Sequence, residues 1–69
     1  MNEERQRIGQ RIADLRKQHG MTQQALADKT GLFRAHISRI ERGRYSVGFD
    51  TLQQIAEALG YYIDFVRRE

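Results

Sequence analysis

An all-α bundle of four to five short helices, followed by a short C-terminal β-strand, is the fold this sequence predicts. Three observations carry the prediction. Apolar residues recur at helical spacing in separate stretches of the 69-residue chain. In residues 22–43, Leu26, Ala27, Leu32, Ile37 and Ile40 face one core on either side of Gly31, the spacing of two short helices that cross steeply through a tight turn. The last nine residues abandon that period and alternate instead, with no proline anywhere to force a break.

The first helix is expected from about Glu3 to His19. Asn2 is placed to cap it, Glu3 and Glu4 favour its positive end, His19-Gly20 closes it, and Ile8, Ile12 and Leu15 form its apolar stripe. The second spans about Gln23 to Lys29, with the Thr22 side chain as N-cap. Ala27 is small where a neighbouring helix must approach, and Gly31 tolerates the positive φ that commonly ends a helix. The third spans about Arg34 to Arg42, with Leu32 and Ile37 as a hydrophobic staple at its start. The fourth runs from about Phe49 to Leu59. Its face of Leu52, Ile55, Ala56 and Leu59 follows the i, i+3, i+4, i+7 rule, and Gly60 ends it.

The tail reads as a strand over residues 61–67, with Tyr61, Ile63 and Phe65 alternating against Tyr62, Asp64 and Val66. A lone strand has no partner within the chain, and an unpaired apolar edge invites pairing with another molecule. The economical arrangement is an antiparallel ribbon with the tail of a second protomer, in which Tyr61, Tyr62, Ile63, Phe65 and Val66 make a symmetric dimer contact. A short fifth helix packed on the domain is the alternative. The chain therefore divides into a helical domain, residues 1–60, and a dimerisation tail, residues 61–69, with no repeat or linker between them.

Bulk properties narrow the function. A chain of this size buries only about 60% of the surface it exposes when unfolded, so marginal stability or a dimer is expected. It contains no cysteine, which excludes disulfides and thiolate metal sites, and His19 and His36 stand too far apart to suggest a local metal pair. No metal or cofactor is expected. No apolar run approaches the ~20 residues of a membrane span and Met1-Asn-Glu-Glu-Arg5 is not a signal peptide, which leads to the expectation of a cytoplasmic protein without a membrane partner. The formal net charge is +3, permitting an anionic partner. Its distribution says more: Arg34, Arg39, Arg42 and Arg44 fall in the third helix and the loop after it, with Glu41 the one acid among them. An enzyme is not expected. No phosphate-binding glycine loop is present, and Ser38 and His36, two apart on a helix, do not face each other.

By its motifs the chain resembles the Cro and repressor type of helix-turn-helix regulators, the xenobiotic-response-element family. The marks are Ile8-Gly9 and Ile12-Ala-Asp-Leu15-Arg16 in the first helix, Met21-Thr-Gln-Gln-Ala-Leu-Ala27 in the second, Ile37-Ser-Arg-Ile-Glu-Arg-Gly43 in the third, and Thr51-Leu-Gln-Gln-Ile-Ala-Glu-Ala-Leu59 in the fourth. The resemblance covers roughly Ile8 to Gly60 and implies a lambda-repressor-like fold. Two places depart from the family pattern. Phe33 stands where Ser or Thr usually caps the recognition helix, which offers its ring to DNA instead, and Val47-Gly48 replaces the usual Pro-Ser before the fourth helix.

The resemblance further implies that the third helix lies in the major groove of double-stranded DNA. That points to Gln23, Phe33, Arg34, Ala35, His36 and Arg39 as base contacts, since arginine donates in bidentate fashion to guanine and an alanine methyl meets a thymine methyl. Thr22, Gln23, Arg42, Arg44, Tyr45 and Ser46 are expected at phosphates, fixing register without reading sequence. Arg16 and Glu41 match a largely buried ion pair of the family that orients the third helix. The function expected is a sequence-specific DNA-binding transcriptional regulator, a homodimeric repressor of an inverted-repeat operator. The alternative is an antitoxin-like module that neutralises a protein partner, a toxin, and autoregulates its operon. The exposed aromatic tail favours that alternative, and the lack of a disordered extension opposes it.

Overall fold

Periodic apolar residues interrupted by glycines give four helices in the computed structural model, which describes residues 3–69: α1 (Glu3–Gln18), α2 (Gln23–Thr30), α3 (Arg34–Glu41) and α4 (Phe49–Leu59). Asn2, the expected cap of α1, lies outside the described residues. Each boundary falls within a residue or so of its sequence expectation. The Thr22 hydroxyl oxygen accepts the Ala25 N–H at 3.0 Å and starts α2. α3 and α4 start on Phe33 and Gly48, neither of which supplies a side-chain cap.

The core is built from all four helices. Leu26 of α2, Ile37 of α3 and Ile55 of α4 are completely enclosed, with Ile12 and Leu15 of α1, Ile40 of α3 and Leu59 of α4 around them. Burying a side chain of this size contributes about 1.5–3 kcal/mol, so two of the largest stabilising residues, Ile37 and Ile40, sit on the inner face of the eight-residue α3. Leu32 packs against the same cluster, at the start of α3.

Two glycines set the geometry of α3. Gly31 has φ 75° and ψ 12°, the left-handed conformation that turns the chain from α2 into α3. Around it the Thr30 hydroxyl donates to the Leu26 carbonyl at 2.8 Å, and the Leu32 N–H donates to the Ala27 carbonyl at 3.1 Å. Gly43 has φ 73° and closes α3 with a Schellman pair: its N–H donates to Ile40 O at 3.0 Å, and the Arg44 N–H donates to Arg39 O at 3.1 Å.

α1 lies closest to α3 at Gly9. A Cβ there would stand 2.7 Å from the carbonyl oxygen of Glu41 and nearer still to that of Ile40, so only glycine lets the two backbones approach this far.

The tail differs from expectation. Among the described residues 61–69 form neither the strand of 61–67 nor a fifth helix. A strand needs a ladder, and a single chain supplies none here. The Tyr61 N–H instead donates to Ala56 O at 2.8 Å in closing α4, and the Phe65 N–H is taken by its neighbour Asp64 Oδ1 at 2.7 Å. Tyr61 and Ile63 are partly covered, whereas Tyr62, Phe65 and Val66 are more than 90% exposed.

Candidate nucleic-acid interface

The outward face of α3 is held in place from behind by one buried ionic network. Arg16 Nε donates to Glu41 Oε2 at 2.7 Å and Arg16 Nη2 to Glu41 Oε1 at 3.0 Å, a bidentate pair joining α1 to the last turn of α3. The third guanidinium nitrogen, Nη1, donates to the Met21 carbonyl in the turn before α2 at 2.8 Å. Gln23 Nε2 completes the network on Glu41 Oε1 at 3.0 Å. An ionised carboxylate only accepts, so the amide nitrogen of Gln23 must be the atom turned toward it. The side chains of Arg16 and Glu41 are 10% and 6% exposed. The Glu41 hydrogen bond raises the Arg16 pKa above the ordinary arginine value, and burial acts in the opposite direction. One carboxylate thus ties α1, α2 and α3 together. Its net stability is modest because desolvation offsets the attraction, but its geometry fixes the angle of α3.

On the other side of α3 the chain is exposed and basic. Phe33 is 84% exposed, and Arg34, Ala35 and Arg39 all face solvent. Arg42, Arg44, Tyr45 and Ser46 are exposed directly beyond. Among the described residues no carboxylate forms a salt bridge with Arg34, Arg39, Arg42 or Arg44. Four unneutralised guanidinium groups around one short helix make a concentrated positive surface suited to a polyanion.

Five expected contact residues, Thr22, Gln23, His36, Arg39 and Tyr45, are engaged within the protein. Gln23 commits one amide hydrogen to Glu41, leaving the rest of its amide for an incoming group. His36 is half-buried, its ring packed edge-to-face against Tyr45 with centroids 4.7 Å apart, and its Nε2 is shielded from solvent without a hydrogen-bond partner. In the structure the imidazole expected at a base edge makes this ring contact. Tyr45, expected at a phosphate, supplies that contact and also lies under Arg39, whose Cζ is 5.6 Å from the ring centroid. Sequence reading missed this cluster, because residues nine apart on either side of a reversal carry no periodic signal. It also missed the Gln23 bond and the Gly9 approach.

A bundle that presents one short basic helix, entered through a tight turn and held from behind, defines a helix-turn-helix protein. Residues 12–66 match the helix-turn-helix family. The chain belongs to that family, in its Cro and repressor branch of transcriptional regulators. It is 41% identical over 59 residues to the immunity repressor protein of Bacillus phage phi105, covering 86% of this chain and 41% of that one. It is also similar to the restriction-modification controller protein C.AhdI from Aeromonas hydrophila, with a TM-score of 0.84 and 32% identity over 87% of this chain and 91% of that one. A third similarity is to the controller protein C.Esp1396I, solved as a tetramer in complex with its natural 35 base-pair operator: TM-score 0.83, 31% identity, covering 88% and 80% of the two chains. The chain thus spans well under half of the phage repressor but most of the controller proteins. No described helix is long and apolar enough to cross a membrane.

Proposed function

We propose that this protein is a sequence-specific regulator that binds double-stranded DNA as a homodimer on an inverted repeat and represses transcription. The observation that carries the reading is the outer face of α3: Arg34, Ala35 and Arg39 exposed together, with no carboxylate in a salt bridge to either arginine among the described residues, on a helix whose other face is fixed in the core. Similarity to a phage immunity repressor and to a controller protein solved on its operator supports it.

In this reading Arg34 and Arg39 donate to guanine O6 and N7, each pair worth roughly 1–3 kcal/mol of discrimination, while Ala35 and the Phe33 ring meet thymine methyls. Thr22, Gln23, Arg42, Arg44 and Ser46 hold phosphates and set the register. Residues 61–69 act as the dimerisation tail, which accounts for three large apolar side chains left in water at Tyr62, Phe65 and Val66. Two copies then place their α3 helices about one helical turn, ~10 bp, apart.

Selection of binding sites from a random duplex pool, using the full chain and its Arg34→Ala variant, tests the reading. An enriched palindrome that relaxes in the variant is the expected result. Absence of any enriched motif, with a stoichiometric protein partner recovered from the native host, would replace it with a partner-neutralising role.

A further inference from the structure

We propose that Tyr45 is a positioning residue for Arg39, and that its ring rather than its hydroxyl sets how sharply α3 discriminates bases; the inference rests on the reading of α3 as the base-contacting helix. His36 and Arg39 are three residues apart and so stand on one face of α3, one turn above the other. The reversal at Gly43 brings the following loop back along that face, where the Tyr45 ring meets both. It packs edge-to-face on His36, at 4.7 Å and 87°. It also lies beneath the Arg39 guanidinium at 5.6 Å, within the range of a cation–π contact.

The burial pattern shows that this is a packed cluster. His36 Nε2 is shielded from solvent with no hydrogen-bond partner among the described residues, and the Tyr45 ring packs edge-to-face on the same imidazole. Tyr45 itself is 38% exposed, so one side of the ring is spent on α3 and the rest remains at the surface.

Arginine pays a large rotamer entropy when it is fixed, and its planar fork recognises a base only in one orientation. Resting the guanidinium on an aromatic face narrows the orientations available before DNA arrives. His36, which is anchored in the helix, acts as the backstop that keeps the ring in place. Tyr45 thereby governs discrimination without touching a base.

The test compares the full-length protein with Tyr45→Phe, Tyr45→Leu, Arg39→Ala and the Tyr45→Leu/Arg39→Ala double variant on a selected site and on each of its single base substitutions. Tyr45→Phe is expected to keep both affinity and discrimination. Tyr45→Leu is expected to lose about two- to fivefold in discrimination, the size of an exposed cation–π contact, only at the base pair that Arg39→Ala relaxes, with no further loss in the double variant. In the free protein, NMR resonances of the Arg39 side chain are expected to be shifted by the ring current in wild type and Tyr45→Phe and to return to ordinary values in Tyr45→Leu.

Three results overturn the proposal: a loss in Tyr45→Phe that is even across sequences, which would make the hydroxyl a phosphate contact; an Arg39-dependent base pair that Tyr45→Leu leaves fully discriminated; or unshifted Arg39 resonances. Failure of the underlying reading looks different. In that case Arg34→Ala and Arg39→Ala relax no position at all, and the positioning role falls with it.

Discussion

Replacing Gly9 with alanine is expected to destabilise the protein, against the usual trend for helices. In an ordinary helix interior this change gains about 1 kcal/mol, because glycine loses more backbone entropy on folding. Here the new methyl would lie 2.7 Å from Glu41 O and 2.9 Å from Glu41 C, with Ile40 O nearer still. Those atoms are backbone, in the last turn of a helix tied off by the Gly43 hydrogen bonds, so they cannot swing aside as a flexible side chain would. α1 must instead move away from α3. Arg16 lies two turns further along α1 on the same face, so the movement also strains its 2.7 and 3.0 Å bonds to Glu41. Overpacking of this kind costs about 1–3 kcal/mol, enough to reverse the propensity gain. For a domain of this length each kcal/mol moves Tm by about 4–8 °C. Thermal unfolding followed by circular dichroism at one fixed protein concentration measures the shift, with Gly48→Ser as a control at a glycine with open space around it. A Gly9→Ala variant that melts at or above the wild-type temperature would refute the close-approach argument.

Arg16→Ala should cost about 3–5 kcal/mol by leaving Glu41 buried without its partner, and replacing both residues with apolar ones of similar volume should cost less; chemical denaturation of the two variants decides the order. Phe33→Ser should add about 0.5–2 kcal/mol by giving α3 the side-chain cap it lacks, seen as a rise in Tm, and should change the preferred site in selection if the ring meets DNA. Arg44→Ala should weaken DNA binding evenly across sequences and reduce the slope of log K against log salt by about one; a loss confined to one base pair would make Arg44 a reader.

The helices are legible in the sequence because each combines an apolar stripe with a glycine just beyond its end, and those local signals agree with the packing they serve. The partnership of Arg16 and Glu41 is visible only through the resemblance to a family, being 25 residues apart along the chain. Gln23 and Met21, which join the same network, leave no mark in the sequence, since a glutamine at the start of a helix reads equally well as a free amide facing solvent. His36 is the clearest case of a side chain whose position follows from a neighbour across a turn: its helical address puts it beside Arg39, and Tyr45 decides which way its ring is used. The alternation of the tail describes a strand only when a partner strand exists, and a single protomer has none to offer.

The burial of Ile37 and Ile40 on the inner side of α3 has a thermal consequence. α3 cannot fray or swing out on its own, because lifting it would empty much of the core. Losing the exposed face of α3 and losing the fold are therefore one event. A duplex that binds only the folded form will raise the melting temperature as its concentration rises, by about 2.7 kcal/mol of stability at one hundred times Kd. Warming past that point would release such a duplex and unravel the bundle in a single cooperative step.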